Sequence, residues 1–308
     1  MRLLTRSDFD GLVCAALLQE LGIVDEIAYI HPKDLQDNKI NITKNDVIAN
    51  APYVEGCGLW FDHHSSEHER LKITGRFTGA SELAPSAAQV IYDYYKNLNG
   101  YHKRLKQFKT LVEVASVVDS AQFARDDILN PSGWNLLAFI TDPRTGLGRK
   151  HGFRISNFEL MKQLPALLCT KTVEEILAEP DFQERVQVYL DGTEKYRLLL
   201  VKRSAIKGSA IVIDLRGIKE AIIGNRFLEY VLFPEQNISI RISDGRDNQF
   251  AVINLGHSII NKTSKVNVGS LTLQYGGGGH RQVGACQVSY ENADKIVQEM
   301  LDVINSKA

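Results

Sequence analysis

The sequence lacks the features by which several classes of protein are recognised. Its four cysteines, Cys14, Cys57, Cys169 and Cys286, are far apart and form no Cys-x-x-Cys pair, so neither a zinc knot nor a disulfide framework is predicted. No stretch approaches the roughly 20 apolar residues of a membrane span, and the N-terminus has no basic segment followed by a long apolar one. We therefore expect a cytoplasmic protein with reduced cysteines and no membrane partner.

The chain also lacks a charge excess of either sign. Its 308 residues carry 36 lysines and arginines against 37 aspartates and glutamates, a formal net charge of -1. A protein that grips long duplex DNA usually has a marked basic excess, so long duplex DNA is not the expected partner. A small or short anionic substrate bound at a local site fits the balance better.

Short apolar strands alternate with helices in the N-terminal half. Residues 11–21 predict a helix that ends at Gly22, and strands are predicted at residues 1–5, 26–30, 47–49 and 58–61. Such alternation is typical of right-handed crossover units, and it predicts an α/β fold with a mostly parallel, Rossmann-like sheet and helices on both faces. A long helix is predicted at residues 103–123, and the following region, 130–152, is predicted to consist largely of loops.

The C-terminal third has a different pattern. A long polar helix is predicted at residues 181–204, followed by strands at 209–215, 237–243 and 250–255, with helices at 226–233, 267–275 and 292–306. This pattern predicts a second, smaller α/β domain. We expect three segments: a first domain at residues 1–180, a helical connector at 181–204 and a second domain at 205–308.

Polar side chains follow three of the predicted N-terminal strands. Asp8 and Asp10 follow the first strand, Asn50 follows the third, and Asp62-His63-His64 closes the fourth. Because parallel strands present their carboxyl ends at one edge of a sheet, these groups are expected to share one crevice. Asp119, at the end of an apolar helical face, is a further candidate, since a buried carboxylate needs a cation or hydrogen-bond donors.

Carboxylates and imidazoles together suit a divalent cation such as Mn²⁺ or Mg²⁺. Two such ions can activate water and stabilise a phosphoryl group. For Asp8 and Asp10 alone, an N-cap role at the following helix is the alternative. Capping does not explain the other groups.

The second domain contains a run of four glycines, Gly276-Gly277-Gly278-Gly279, followed by His280 and Arg281. Such a run suits a tight turn or close approach to a ligand, with amide groups and the two basic side chains binding an anion. A flexible linker is the alternative. Arg241, which interrupts an apolar strand, is a second candidate phosphate ligand. Whether Arg144 and Arg149 contact an anion or lie in a plain loop stays open.

These motifs resemble, in order and spacing, those of the DHH phosphoesterase superfamily. The segments that carry the resemblance are Ser7-Asp8-Phe9-Asp10-Gly11, Phe61-Asp62-His63-His64, Val118-Asp119-Ser120 and Gly276-Gly277-Gly278-Gly279-His280. The resemblance covers almost the whole chain and is similar in layout to the exopolyphosphatase-like, oligoribonuclease-like branch. It implies a DHH metal-binding catalytic domain and a C-terminal DHH-associated substrate-binding domain.

By that resemblance the chain would hydrolyse phosphodiester or phosphoanhydride bonds with metal-activated water. The substrates implied are short single-stranded oligonucleotides, cyclic dinucleotides or polyphosphate, and the cofactor is Mn²⁺, with Mg²⁺ or Co²⁺ as alternatives. The oligomeric state stays open, with a homodimer among the options.

The resemblance also assigns roles to individual residues. Asp10, His63 and Asp119 match the ligands of one metal, and Asp8 matches a ligand of the other. His64, with Asp62 beside it, matches the residue that faces the substrate. Arg241, the four glycines and His280, together with Arg281, match the binding site for the distal phosphate or nucleotide.

Two positions depart from the family pattern. Family members usually have a histidine or an acid just before the acidic pair, where the nearby positions of this chain hold Leu4 and Arg6. They also usually have an aspartate at the end of the third strand, where this chain has Asn50. We expect one of the two metal sites to be weakened or lost, with Arg6 near its place and paired with Asp8. The alternative function is a catalytically impaired regulatory protein that binds a nucleotide or phosphate.

Overall fold

The computed structural model describes residues 1–64, 77–96, 98, 102–219 and 222–307. The chain divides into two compact units. The first consists of Met1–Gln122 and Ser132–Gln187, and the second of Phe123–Pro131 and Val188–Ala308. Among the described residues, no helix combines the length and the apolar character needed to cross a membrane.

The described strands are numbered in chain order: β1 (Arg2–Thr5), β2 (Glu26–Tyr29), β3 (Asp46–Ala49), β4 (Leu59–Asp62), β5 (Gly79–Ser81), β6 (Ser204–Lys207), β7 (Ala210–Asp214), β8 (Ile238–Asp244), β9 (Ala251–His257), β10 (Gly278–Gly279) and β11 (Val283–Val288). The α-helices are α1 (Phe9–Glu20), α2 (Pro32–Gln36), α3 (Ala87–Lys96), α4 (His102–Leu105), α5 (Lys109–Asp119), α6 (Arg125–Leu129), α7 (Gly133–Thr141), α8 (Asn157–Thr170), α9 (Val173–Ala178), α10 (Pro180–Arg203), α11 (Leu228–Leu232), α12 (Val268–Leu273) and α13 (Tyr290–Ser306).

The first unit is built on a five-stranded sheet with the order β2-β1-β3-β4-β5, in which every pairing is parallel. The chain leaves β1 for β2 on one side and then returns to β3 on the other. The loops after β1 and β3 therefore part at a topological switch point, where open parallel sheets form a ligand crevice. The predicted α/β class is confirmed.

Helix α1 follows β1 directly and is largely buried. Its residues from Phe9 to Leu18 are all buried, and it packs against α3, α5 and α8. The sheet also packs against α2, where Leu35 joins a cluster with Leu4, Ile48 and Trp60. Because apolar residues pack against both faces of the sheet, the strand ends that form the crevice are fixed by the core of this unit.

Two sequence-based predictions for this unit were wrong. The helix predicted at residues 103–123 is interrupted by a 3₁₀ turn at Lys106–Phe108, and α5 ends at Asp119, since Ala121 has a left-handed backbone with φ of 52°. Residues 130–152, predicted as loops, contain α7 and two 3₁₀ turns, Pro143–Thr145 and Leu147–Arg149. Helix α7 is apolar on nearly every side and so has no polar stripe to indicate its period.

The second unit contains a six-stranded mixed sheet with the order β10-β11-β9-β8-β7-β6. Strands β7 and β8 are parallel, and the other neighbours are antiparallel. One face carries Ile238, Ile240 and Ile242, which form a core with residues of α13 such as Met300. The opposite face carries the alternate residues of β8, including Arg241.

The division between the units falls within α10, which is continuous through the predicted connector. The segment that contains α6 belongs to the second unit although it lies between two segments of the first. The functional assignment of the domains stays a prediction.

Candidate metal centre and anion-binding residues

The acidic turn after β1 places its two aspartates in different surroundings. Asp8 is the N-cap of α1, and its Oδ1 accepts a hydrogen bond from the Gly11 amide at 3.0 Å. Asp10 lies in the first turn, is only 1% exposed, and accepts the Ala87 and Ala88 amides, both at 2.9 Å. Capping therefore accounts for Asp8, whereas the carboxylate of Asp10 is bound by the first amides of α3.

His63 directly follows β4 and has one free ring nitrogen. Its Nδ1 lies 3.1 Å from the Ala84 carbonyl oxygen, which favours a proton on that nitrogen and leaves Nε2 as an acceptor. Nε2 is buried without a hydrogen-bond partner, 3.4 Å from Asp119 Oδ2 and 3.8 Å from Asp10 Oδ2. A carbonyl that orients the other nitrogen is typical of a histidine that binds a metal.

Asp10, His63 and Asp119 together fit a divalent cation. Each offers a ligand atom, and these atoms all lie within 4.8 Å of one another. Burial raises the pKa of Asp10 well above its usual value, and the negative charges of Asp119 and Asp8 raise it further. Burial also raises the pKa of Asp119. A bound cation would compensate both carboxylates and provide a partner for the orphaned His63 nitrogen.

Asp8 is compensated by the protein itself. Its Oδ2 forms an ion pair with Arg6 Nε at 3.1 Å, and its Oδ1 also accepts the side-chain amide of Asn50 at 3.0 Å. Asn50 is completely buried and has a left-handed backbone with φ of 53°, a conformation that asparagine adopts more readily than most residues. The side chains predicted at the ends of β1 and β3 do meet, but they bind each other.

Asp62 and His64 form a separate pair beside this group. Asp62 is fully buried, and it accepts the His64 amide at 3.1 Å on one oxygen and contacts His64 Nδ1 at 2.9 Å with the other. Burial lowers the pKa of His64, but the hydrogen bond and charge of Asp62 outweigh it, so the net pKa is raised. Asp62 thus favours the protonated form of His64.

Arg144 is a residue that the sequence left undecided. Its backbone amide and its Nε both donate to Asp142 Oδ1 at 2.8 Å, and its side chain is half exposed. Partial desolvation lowers its pKa, but Asp142 and the more distant charges of Asp8 and Asp119 raise it overall. The guanidinium therefore lies within electrostatic reach of the crevice. The signal in the sequence was the triplet Asp142-Pro143-Arg144 directly after an apolar run.

In the second unit, Arg241 is already paired. Its guanidinium forms an ion pair with the buried Glu229 and donates a hydrogen bond to the Tyr196 hydroxyl at 2.9 Å. Its side chain is 28% exposed, so one edge stays open. The register of the sheet places Arg241 opposite Asn254, Asn254 opposite Ala285, and Ala285 opposite Gly278. These four residues form one row across a sheet face.

The four glycines are part of the folded second unit. Gly276 has φ of 74°, and a Cβ on Gly277 would lie 2.1 Å from the Ala285 carbonyl oxygen. Gly278 and Gly279 pair with β11 as β10. His280 and Arg281 follow with exposed side chains, and their carbonyls accept the Gly269 and Val268 amides. A flexible linker does not describe this segment.

The fold and the site define a two-unit α/β protein with a candidate cation site at the carboxyl edge of a parallel sheet. No protein-family model and no curated protein matches the chain. Among solved structures, it resembles a pGpG-specific phosphodiesterase, PggH from Vibrio cholerae, with 39% identity and a TM-score of 0.87 over 100% of this chain and 99% of that one. The chain belongs to the DHH phosphoesterase superfamily.

Two more distant structures share the fold. One is the DHH domain of PF0399, a member of the s1p family of ribosomal proteins, with 12% identity and a TM-score of 0.57 over 99% of this chain and 86% of that one. The other is RecJ from Thermus thermophilus in complex with Mn²⁺, with 13% identity and a TM-score of 0.52 over 98% of this chain and 52% of that one.

Proposed function

We propose that the protein is a metal-dependent phosphodiesterase that cleaves short linear oligonucleotides, with the dinucleotide pGpG as its first candidate substrate. The observation that carries the proposal is the 39% identity over the whole chain to a pGpG-specific phosphodiesterase. The geometry of Asp10, His63 and Asp119 supports it, because these three residues can hold the cation that such a reaction uses. Mn²⁺ is the first candidate, with Mg²⁺ and Co²⁺ as alternatives.

The reaction adds water across one phosphodiester bond. The water oxygen forms a bond to phosphorus, the bond from phosphorus to the bridging 3′ oxygen breaks, and that oxygen takes up a proton. Hydrolysis of pGpG in this way gives two molecules of GMP. A bound divalent cation supplies Lewis acidity, which stabilises charge on the phosphoryl group and lowers the pKa of water.

The residues of the chain supply the remaining functions. In the proposal, His64, whose pKa Asp62 raises, donates a proton to the leaving oxygen. Arg6, and Arg144 within electrostatic reach, stabilise the negative charge that develops on the phosphoryl oxygens.

In the proposal, the second unit binds a phosphate group of the substrate. The open edge of Arg241, the amides of Gly276–Gly279 and the side chains of His280 and Arg281 are suited to the terminal phosphate. Residues 1–180 then form the catalytic domain and 205–308 the substrate-binding domain, joined by the helix at 181–204. A net charge of -1 fits this local recognition better than binding of long duplex DNA.

A substrate panel tests the proposal. The purified protein is given pGpG, pApA, cyclic di-GMP or tripolyphosphate with Mn²⁺, Mg²⁺, Co²⁺ or EDTA, and the products are separated by chromatography. We expect GMP from pGpG with a divalent cation and no reaction with EDTA. Release of phosphate from tripolyphosphate, with pGpG intact, would contradict the proposed substrate class.

Site variants test which residues hold the cation. His63→Ala and Asp10→Asn should each lower the turnover of pGpG by more than about 100-fold, because loss of a metal ligand costs at least as much as loss of the groups that orient it. His151→Ala, which changes an exposed histidine of the same unit, serves as the control. Turnover by both variants at the rate of the control would refute the assignment.

A regulatory role is the second candidate function. It is favoured by the pairing of Asp8 with Arg6 and Asn50, which leaves only one group suited to a divalent cation among the described residues. Calorimetric titration with pGpG separates the two functions. Tight binding of pGpG that is not followed by GMP formation, with any of the three cations, would favour the regulatory role.

A further inference from the structure

Asp8 and Asp10, the two aspartates of the turn after β1, differ in their partners: Asp8 has a cationic side chain beside it, and Asp10 has none among the described residues. We propose that the protein binds one divalent cation, at Asp10, His63 and Asp119, and that the Arg6 guanidinium provides the second positive charge of the site. The inference rests on the proposed function and specifies how the same site handles the charge of the phosphoryl group. It also means that the second ion implied by the superfamily does not fit this chain.

The surroundings of Asp8 argue against a cation there. Asp8 is 7% exposed, and both of its oxygens are engaged: Oδ2 by Arg6 at 3.1 Å, and Oδ1 by the Gly11 amide and the Asn50 side chain, each at 3.0 Å. All three partners are donors. A divalent ion bound to Asp8 would have to displace a fixed positive charge and at least one hydrogen bond.

Asn50 completes this arrangement. Its side-chain Nδ2 donates to Asp8, and its backbone amide donates to the Phe61 carbonyl at 3.1 Å, which fixes the residue at the end of β3. A carboxylate at this position would face Asp8 Oδ1 at a similar distance and repel it. Asn50 Oδ1 is buried and unpartnered, but a neutral amide oxygen beside a neutralised carboxylate is a weak ligand set for a divalent ion.

The contrast with Asp10 is direct. Among the described residues, the Asp10 group contains no lysine or arginine partner, and the buried Nε2 of His63 has no hydrogen-bond partner. Asp8 has both a cation and a full set of donors. Asp10 also accepts two backbone amides, but these donors carry no charge. The two aspartates therefore differ in having a cationic partner, and a divalent cation would supply the one that Asp10 lacks.

Arg6 has an open edge toward solvent. Its side chain is 35% exposed, and Asp8 is its ion-pair partner among the described residues. A guanidinium presents several donors in one plane, so the nitrogens that do not face Asp8 can bind a phosphoryl oxygen.

Metal counting tests the inference without substrate. Native mass spectrometry and electron paramagnetic resonance are applied to the wild type and to the double variant Arg6→Met/Asn50→Asp, each titrated with Mn²⁺. We expect one Mn²⁺ per wild-type chain with an uncoupled signal. The double variant should bind two, with exchange coupling typical of ions roughly 4 Å apart.

Each alternative result has a distinct meaning. Two coupled ions in the wild type would overturn the inference and leave the proposed function intact. A wild type that binds no Mn²⁺ would overturn the proposed function itself, and the inference with it. If the wild type and the double variant both bind one ion, Arg6 and Asn50 do not exclude the second ion. This result would overturn the part of the inference in which Arg6 takes the place of that ion.

Kinetics test the role of the Arg6 charge. Arg6→Gln should lower kcat for pGpG by about 100-fold, with the Mn²⁺ affinity unchanged and KM changed much less. Arg2→Gln is a matched control, because Arg2 is on β1, the strand that Arg6 follows, and also pairs through Nε with a buried aspartate, Asp46, at 2.7 Å.

Arg6→Lys keeps the charge without the planar fork, so it should restore part of the lost kcat. Retained Mn²⁺ binding reports that each variant is folded. A kcat for Arg6→Gln equal to that of Arg2→Gln would overturn the assigned role.

Discussion

Replacing Asp10 with asparagine separates the structural role of this carboxylate from its role as a metal ligand. Asp10 accepts the Ala87 and Ala88 amides at 2.9 Å each, one on each oxygen. An asparagine can accept only one of them and turns an NH₂ group toward the other amide. Since a hydrogen bond to a charged group contributes about 1.5–3 kcal/mol, this loss destabilises the variant by an amount of that order.

An opposing effect acts in the metal-free protein. Burial, followed by the charges of Asp119 and Asp8, raises the pKa of Asp10 well above its usual value, which means that the ionised form is disfavoured in the fold. Asparagine removes that charge. Because the two effects have opposite signs, we expect the metal-free stability of Asp10→Asn to lie within about 2 kcal/mol of the wild type.

The effect of Mn²⁺ should be clear by comparison. At a free concentration of 100 times Kd, a ligand that binds only the native state stabilises it by about 2.7 kcal/mol. For a unit of roughly 150–250 residues, each kcal/mol raises the unfolding midpoint by about 2–4 °C, so the expected shift is about 5–10 °C. Asp10→Asn should lose this shift.

The assay is thermal unfolding followed by circular dichroism at pH 7.5, with Mn²⁺ or with EDTA. Asp93→Asn is the control, since Asp93 lies on α3, the helix that Asp10 caps, and binds Gln89 and Lys96 rather than the metal group. The control should keep the full Mn²⁺ shift. A shift of equal size in Asp10→Asn and Asp93→Asn would refute the assignment of Asp10 as a ligand.

Three further predictions concern the same turn and its neighbours. Gly11→Ala places a Cβ 2.1 Å from the Arg6 carbonyl oxygen, so thermal unfolding should show a loss of about 1–3 kcal/mol together with a weaker Mn²⁺ shift; an unchanged midpoint would contradict this. The raised pKa of Asp10 means that its protonated form stabilises the metal-free fold at low pH and that this contribution is lost as pH rises through the raised value. Mn²⁺ requires the ionised form, so the Mn²⁺-induced shift should grow with pH over that window, and a shift independent of pH would count against it. Asp62→Asn should lower the pKa of His64 and move the alkaline limb of the kcat profile to lower pH; an unmoved limb would exclude His64 as the proton donor.

The arrangement of the crevice could be predicted from the sequence because it follows from strand order. Polar residues that end parallel strands meet at one edge, and the contact between Asn50 and Asp8 confirms that the first and third strands are neighbours. The pairing of Arg6 with Asp8 was expected from the motif. Arg6 stands near the place of a family metal ligand, and Asp8 matches a ligand of the same metal. The ion pair at 3.1 Å agrees with that expectation.

Other features depended on contacts that no local pattern encodes. Helix α7 was missed because its apolar residues follow one another without a polar stripe. The pairing of Arg241 with Glu229 could not be predicted, since it joins a strand residue to a helix residue through the packing of the second unit. Arg144 was left undecided for the same reason, because only the fold places its charge near Asp8 and Asp119.

The different behaviour of Asp8 and Asp10 has a common physical origin in the strands beside them. Asp8 faces the residue after β3, where Asn50 supplies a neutral donor, and Arg6 adds a positive charge. Asp10 faces the residue after β4, where the buried Nε2 of His63 has no hydrogen-bond partner among the described residues. A buried carboxylate paired with a cation is compensated, whereas one that has only neutral amide donors and lies beside a second carboxylate is stabilised by an added cation. The demand for a metal therefore arises at Asp10 alone, although the two residues belong to one short acidic turn.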